Sequence, residues 1–294
     1  MTDTPSFAAL RAFARSHVAT AALLLLLLLA FGAAFAPWLA PQNPYDLTQL
    51  DILDARLPPA TESSADARQR YWLGTDEQGR DIGSAILYGL RTSIAVGLAS
   101  TALALLIGVV VGLLAGYAGG RIDSLVMRIV DIQLSFPAIL VALVLLAALG
   151  QGLGKIIAAL VAVQWAYYAR TTRSAALVER RKEYIEAARM QGLSAGRIVL
   201  GHLLPNCVPP VIVVAALQVA AAISLEATLS FLGLGLPITE PSLGLLIANG
   251  FQHLLSGRYW ISFFPGLVLL LLIVCINLVA DQLRDAFNPK LQRQ

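Results

Sequence analysis

An all-α membrane protein with several transmembrane helices is the fold class this sequence predicts, and two observations predict it. Across 294 residues the chain is 57% hydrophobic and only 13% charged, against about 25% charged in an ordinary soluble domain, and its mean hydropathy is +0.73. The apolar residues are also gathered into charge-free runs at residues 18–39, 92–120, 132–154, 198–225 and 259–280, each longer than the roughly 20 residues that cross a hydrocarbon core of about 30 Å. Backbone polar groups in lipid must be satisfied within the segment itself, so such runs are helices. A shorter run at residues 156–169 is extended to a sixth span by Leu153, Gly154 and a snorkelling Lys155. Six transmembrane helices are expected.

The first span, residues 18–39, follows a short tail (residues 1–17) carrying Arg11 and Arg15, and ends among the small residues Ala33, Ala34 and Ala36. That resembles a signal sequence, but the run outlasts the apolar region of about 7 to 15 residues that such a sequence has, so an uncleaved anchor is expected. The next segment, residues 40–91, is a loop. Its first half, with Pro41 and Pro44, reads as irregular chain. Its second half, Leu73-Gly74-Thr75-Asp76-Glu77-Gln78-Gly79-Arg80-Asp81-Ile82, reads as a glycine-bearing turn leading into an amphipathic helix capped by Thr75 or Asp76. Asp76, Gly79, Arg80 and Asp81 are candidates for a contact with a partner subunit or an external binding protein; a structured loop is the plain alternative.

Residues 92–283 hold the remaining five spans. Gly108, Gly112, Gly116 and Gly120 recur every four residues in the second span, a stripe that lets another helix approach closely. Pro137 breaks a helical hydrogen bond early in the third span, to kink the helix or to start it. Glu226 is the one acidic residue well inside an apolar segment, and ionisable groups in lipid are costly and usually functional. Counted from Asn206 it falls near the outer boundary of the span. Two roles follow, interfacial or structural pairing and the lining of a substrate path. Leu232-Gly233-Leu234-Gly235 then suggests a tight turn, Cys207 and Cys275 are packing residues, and residues 284–294 form a polar tail.

Between the fourth and fifth spans, residues 170–206 present a charged, helix-forming surface to water. Residues 174–191 lack proline and glycine and are rich in Ala, Leu, Glu, Arg and Lys. Gly192 is the expected stop, because glycine takes the left-handed conformation at little cost. Ser194 is the expected cap of a second helix running through Arg197 toward Leu204, with Pro205 and Asn206 marking entry to the fifth span. Ala187 and Ala188 offer a flat patch for close approach, flanked by Glu183 and Glu186. Arg180, Arg181 and Lys182 are read as basic residues drawn to anionic lipid headgroups.

Basic residues near span ends stay in the cytoplasm. With six spans and both termini inside, the cytoplasmic face receives 14 of the 21 basic residues, including this whole segment, and the outer face 7. No phosphate-cradling loop is present: Gly154-Lys155 is preceded by Leu149 where a glycine is needed and followed by Ile156. His17, His202 and His253 are scattered, and no metal-binding or nucleophile-and-base pattern is seen, so neither catalysis nor a bound metal is expected, nor is nucleic acid a partner. A secondary transporter would carry several ionisable residues in its spans, where this chain has Glu226.

Glu186-Ala187-Ala188, three residues, Gly192, and Leu204-Pro205 twelve positions beyond the glycine resemble the cytoplasmic loop of bacterial ABC importer permeases. Where that pattern has isoleucine two positions before the Leu-Pro, this sequence has His202, as is common in the peptide-importer branch. Leu73-Gly74-Thr75-Asp76 with Gly79-Arg80-Asp81, Met127-Arg128 with Val130-Asp131, residues 229–235, Phe264-Pro265-Gly266-Leu267 and Leu283-Arg284-Asp285 with Asn288-Pro289-Lys290 extend the likeness. Nearly the whole chain is similar to the second permease subunit of dipeptide and oligopeptide ABC importers. The resemblance implies the type I importer permease fold, pairing with a homologous but different permease, two ATPase subunits at the inner face and a periplasmic solute-binding protein at the outer face. Peptide is the implied substrate, with nickel, glutathione or another small solute as the alternative. No cofactor is expected on this chain; ATP and Mg would reside on the ATPases. Carried over, Glu186, Ala187, Ala188, Gly192 and Pro205 belong to the ATPase-docking loop, Glu186 orienting the short helix, the alanines giving close packing and Gly192 the turn.

Overall fold

Apolar runs become helices, and the polar stretches between them decide where those helices begin and bend. The structure, a computed structural model, describes residues 16–64, 70–237 and 240–286. The Arg11 and Arg15 tail, and residues 287–294 of the polar tail, lie outside these. Ser16 caps α1 (His17–Ala34) by accepting the Ala19 N–H at 3.3 Å, and a turn at Phe35 leads into the short α2 (Ala36–Leu39). Residues 40–64 and 70–81 then form a loop with single helical turns at Leu47–Gln49 and Ile52–Asp54. A two-residue antiparallel ribbon joins β1 (Thr61–Glu62) to β2 (Arg70–Tyr71).

The helix that follows, α3 (Ile82–Ala118), starts ten residues before the apolar run. Its N-cap is Asp81, whose carboxylate accepts the Ser84 N–H and hydroxyl, both at 2.7 Å. The expected caps Thr75 and Asp76 therefore lie further upstream, inside the loop. At the other end Gly119 (φ +68°) and Gly120 (φ +57°) turn the chain into α4 (Gly120–Ser135). Phe136 and Pro137 then separate α4 from α5 (Ala138–Leu149), and the two helices meet at 90°. The proline expected to kink or start the third span thus divides it into two helices.

Next come α6 (Leu153–Glu179), α7 (Glu183–Met190) and α8 (Ala195–Ile198). A π-helical turn at Val199–Leu203 joins α8 to α9 (Leu204–Phe231), so the chain stays helical from Ala195 to Phe231. Pro205 lies in the first turn of α9 and marks no break. Prolines at 205, 209 and 210 each remove a backbone donor, and the wider π turn is where the hydrogen-bond ladder shifts register. Ser194 holds the N-cap position of α8, but its hydroxyl makes no capping bond. Last are α10 (Leu243–Phe251) and α11 (Trp260–Ala286).

Among the described residues four helices, α1, α3, the continuous α8–α9 unit and α11, are long and apolar enough to cross a membrane, and the bent α4–α5 pair makes up to five. The sixth passage corresponds to α6, whose 27 residues reach about 40 Å but are too polar to meet the same standard. One face of it is enclosed by its neighbours, with Ala159, Leu160, Ala166, Tyr168, Ala169 and Thr172 all buried.

The α3–α6 pair is the spine of the bundle. A Cβ on Gly108 would lie 2.4 Å from Tyr168 Cβ, one on Gly112 2.5 Å from the Ala169 carbonyl oxygen, and one on Gly116 2.7 Å from Ala176 Cβ. Three of the four glycines of the stripe therefore admit the neighbouring backbone. Gly120 does not take part; nothing lies within 4 Å of its Cβ position, and its role is the turn. Because α3 has 37 residues, about 55 Å of helix, it separates two ends. Residues 40–81, the α5–α6 turn and α10 sit at one, and α7 sits at the other.

Candidate functional site

The segment at the α7 end is built from a helix anchored on one side and bare on the other. Ile185 and Ala188 are buried in a cluster with Leu113 of α3, Ala176 of α6, Ile198 of α8, the π-turn residue Leu203 and Cys207 of α9. Glu183, Glu186, Ala187, Arg189 and Met190 are exposed, Met190 at 90% of its full surface. Ala187 and Ala188 therefore do not share an outward patch. One turns into the bundle and only Ala187 faces out, because consecutive helical residues point about 100° apart.

Gly192 ends α7 in the left-handed conformation (φ +73°). Its N–H donates to the Arg189 carbonyl at 2.9 Å and the Leu193 N–H to the Ala188 carbonyl at 3.2 Å, the paired closure of a Schellman turn. Around this helix several polar side chains are committed to neighbours. Arg180 Nη1 donates to the carbonyls of Gly116 at 3.0 Å and Tyr117 at 2.8 Å. Tyr184 donates to Glu179 at 2.6 Å, and Asn206 donates to the Tyr184 hydroxyl at 3.1 Å. The guanidinium of Arg189 lies 5.6 Å from the Tyr117 ring centre. Arg180 is thus a brace between α6 and α3 and not a residue left for lipid headgroups; Lys182 pairs with Glu179.

Two further ion pairs join α4 to α6. Arg173 grips Asp123 through two hydrogen bonds, at 2.8 and 2.5 Å, and Arg170 pairs with Asp131. With Met127, Arg128 and Ser174 they line an open cleft. Arg170 and Arg173 open the charged segment in the sequence, but their partners are not evident from it. Two aspartates eight apart in an amphipathic stretch were the available signal.

At the opposite end the residues expected to meet a partner are inside the loop. Asp76, Gly79, Arg80 and Asp81 are all buried. The Asp76 carboxylate accepts the N–H groups of Gln78 at 2.8 Å and Arg80 at 3.0 Å, closing the turn that Gly79 (φ +74°) permits. A Cβ on Gly79 would lie 2.2 Å from the Asp51 carbonyl oxygen. Burial holds the Asp76 carboxyl above its ordinary range. Asp54 is the second organiser: it accepts from the Ser63 hydroxyl, the Ser64 N–H at 2.7 Å and the Tyr71 hydroxyl at 2.9 Å. Burial opposes its ionisation, but these donors prevail and hold it below the usual carboxylate range, while burial and Asp54 push Tyr71 up to about 12. These motif residues build the loop and leave its surface to others, such as the exposed Trp72, Ile52 and Leu53.

Glu226 is neither at a solvated boundary nor exposed to a path. It is wholly buried within this single chain, so a neighbouring subunit could only enclose it further. Its carboxylate accepts from Ser93 at 2.9 Å and Ser230 at 2.8 Å. Nearby, a cavity of about 580 Å³ between the end of α9 and α10 is lined by Gln151, Phe231, Leu236, Asn249, Phe251 and Gln252. Among the described residues no group of three His, Cys, Asp or Glu side chains is arranged to hold a metal ion.

This layout, a helical bundle with an anchored amphipathic helix between two spanning segments, has counterparts of known class. The family model for the binding-protein-dependent transport system inner membrane component matches residues 108–293. The chain belongs to that family. A second model, the N-terminal TM domain of oligopeptide transport permease C, matches residues 4–59. Over 282 residues the permease is 39% identical to the di/tripeptide transport system permease protein DppC of Pseudomonas aeruginosa (strain UCBPP-PA14), covering 96% of this chain and 91% of that one. It is also 39% identical to the dipeptide transport system permease protein DppC of Bacillus subtilis (strain 168), covering 96% and 85%. The same identity holds over 273 residues with the probable D,D-dipeptide transport system permease protein DdpC of Escherichia coli (strain K12), covering 93% and 87%. Among solved structures, a chain of the MetNI methionine ABC transporter in an inward-facing conformation aligns with a TM-score of 0.57 at 22% identity, over 69% of this permease and 96% of that chain. Its fold is that of a type I importer permease. The family is one of permease subunits and not of ATPases.

Proposed function

We propose that this permease forms, with a homologous but different permease, the membrane path of an ABC importer for di- or oligopeptides. Its α7 end faces the cytoplasm and docks onto ATPase subunits that hold ATP and Mg. Its other end receives a periplasmic solute-binding protein, and both termini are cytoplasmic. The observation that carries the docking reading is the two-sidedness of α7. Ile185 and Ala188 fix it to α3, α6 and α9, so force applied to the exposed Glu186, Ala187 and Met190 passes into the bundle instead of moving the helix alone. The predominance of basic residues at that end supports the orientation.

Peptide as the solute rests on the named relatives, which match more than nine-tenths of the chain. The test is Glu186→Arg in the full complex: the reading expects the permease to insert normally while ATPase co-purification and peptide uptake are lost. Unchanged co-purification and uptake would refute it.

A further inference from the structure

The cluster around Glu226 ties together three helices. Its carboxylate, 0% exposed, takes the Ser93 hydroxyl of α3 on Oε2 at 2.9 Å and the Ser230 hydroxyl of α9 on Oε1 at 2.8 Å. The Ser242 hydroxyl, whose oxygen caps α10 by accepting the Leu245 N–H at 3.2 Å, faces the same carboxylate. All three serines are buried. A carboxylate taken out of water is costly unless its oxygens are satisfied, so the cluster prescribes one relative placement of these helices. Backbone fit reinforces it. A Cβ on Gly244 of α10 would lie 2.3 Å from the carbonyl oxygen of Ala227, the residue after Glu226, and one on Gly250 would lie 2.4 Å from the Ser262 nitrogen.

The other end of the same rod carries α7. Continuous helix runs 37 residues from Ala195 to Phe231. Its first turns hold Ile198, Leu203 and Cys207 against Ile185 and Ala188, with Asn206 bonded to Tyr184. A helix is stiff along its axis, and a rigid element shared by two packed ends is a physical route for coupling.

We infer that Glu226 is a positioning residue that couples α10 to α9, so that displacement of α7 is delivered through the rod to α10 and the cavity wall it forms. This rests on α7 being the ATPase-docking helix. The test uses the complete importer in liposomes, with Cys207 and Cys275 replaced by alanine and Gln252→Cys, at the exposed end of α10, as the reporter. Labelling by a membrane-impermeant maleimide is compared with and without ATP plus vanadate. The parent complex should change its labelling rate about fivefold, within the usual range of coupling between sites. Glu226→Leu should abolish that change with ATPase association and basal hydrolysis retained, and Glu226→Gln, which keeps an acceptor, should preserve most of it. An ATP response of parental size in Glu226→Leu, or none in the parent, overturns the inference. Should Glu226→Leu fail to assemble, Ser93→Ala and Ser242→Ala decide: a diminished response in either supports coupling, and full responses in both refute it. Normal ATPase association in Glu186→Arg would instead refute the docking reading alone.

Discussion

Arg180 spans from the end of α6 to the end of α3, where its Nη1 donates to the Gly116 carbonyl oxygen at 3.0 Å as well as to that of Tyr117 at 2.8 Å. The last carbonyls of a helix have no partner within it and carry partial negative charge, so a guanidinium satisfies both needs at once. It also fixes where the chain leaves α6 and enters α7. Arg180→Ala should cost about 1.5–3 kcal/mol, the range for a charged hydrogen bond, and should raise amide hydrogen exchange across residues 183–190. Arg180→Lys should recover part of the protection, since a lysine reaches one carbonyl as a point charge.

Gly192 and Gly112 separate two reasons for a glycine. Nothing lies within 4 Å of a Cβ at Gly192, whose φ is +73°, whereas a Cβ at Gly112 would lie 2.5 Å from the Ala169 carbonyl oxygen. Gly192→Ala should therefore cost only the backbone strain, about 1 kcal/mol, and Gly192→Asn less. Gly112→Ala should cost several times as much, because α3 and α6 must move apart. Thermal unfolding of the purified permease in one detergent ranks the three variants.

Acid should loosen the loop of residues 40–81 through Asp54. Its folded-state ionisation is held below the ordinary range, so its stabilisation is complete above the unfolded pKa of about 3.9 and is lost as pH falls through the lower folded value. At the alkaline side Tyr71, raised to about 12, contributes stability that is full below about 10 and lost as pH rises through 12. Buried Asp76 acts in the opposite sense to Asp54, since burial disfavours its ionised form and the folded loop therefore holds its proton more readily, which favours folding at low pH. Limited proteolysis of the loop should thus accelerate below about pH 4, and Asp54→Asn should be cleaved quickly even at neutral pH. Asp76→Asn, which keeps the acceptor for Gln78 and Arg80, should resist as well as the parent.

The spans were legible because charge-free length is a property of the sequence alone, and so was the turn at Gly192, whose conformation few other residues adopt. The amphipathic start of α3 at Ile82 was legible too, but its cap was not, because Thr75, Asp76 and Asp81 all have capping side chains and only the folded loop decides that Asp81 takes the position. The enclosure of the turn from Asp76 to Asp81 depends on Asp51, which meets Gly79, and on Gln42, which meets Asp81, both brought close by folding. Glu226 depends on Ser93, 133 residues away. On α7, periodicity marked an amphipathic helix, but only the positions of α3, α6 and α9 decide that Ala188 turns inward and Ala187 outward.

That division of faces gives the central claim its sharpest test. Single cysteines at Ala187, Met190 and Ala188, placed in the complete importer with its native Cys207 and Cys275 removed, are exposed to a thiol-to-amine cross-linker. Docking of α7 on the ATPases predicts that the Ala187→Cys and Met190→Cys permeases join covalently to an ATPase subunit while Ala188→Cys does not. Equal cross-linking at all three positions, or none at Ala187 and Met190 in a complex that still hydrolyses ATP, would contradict it.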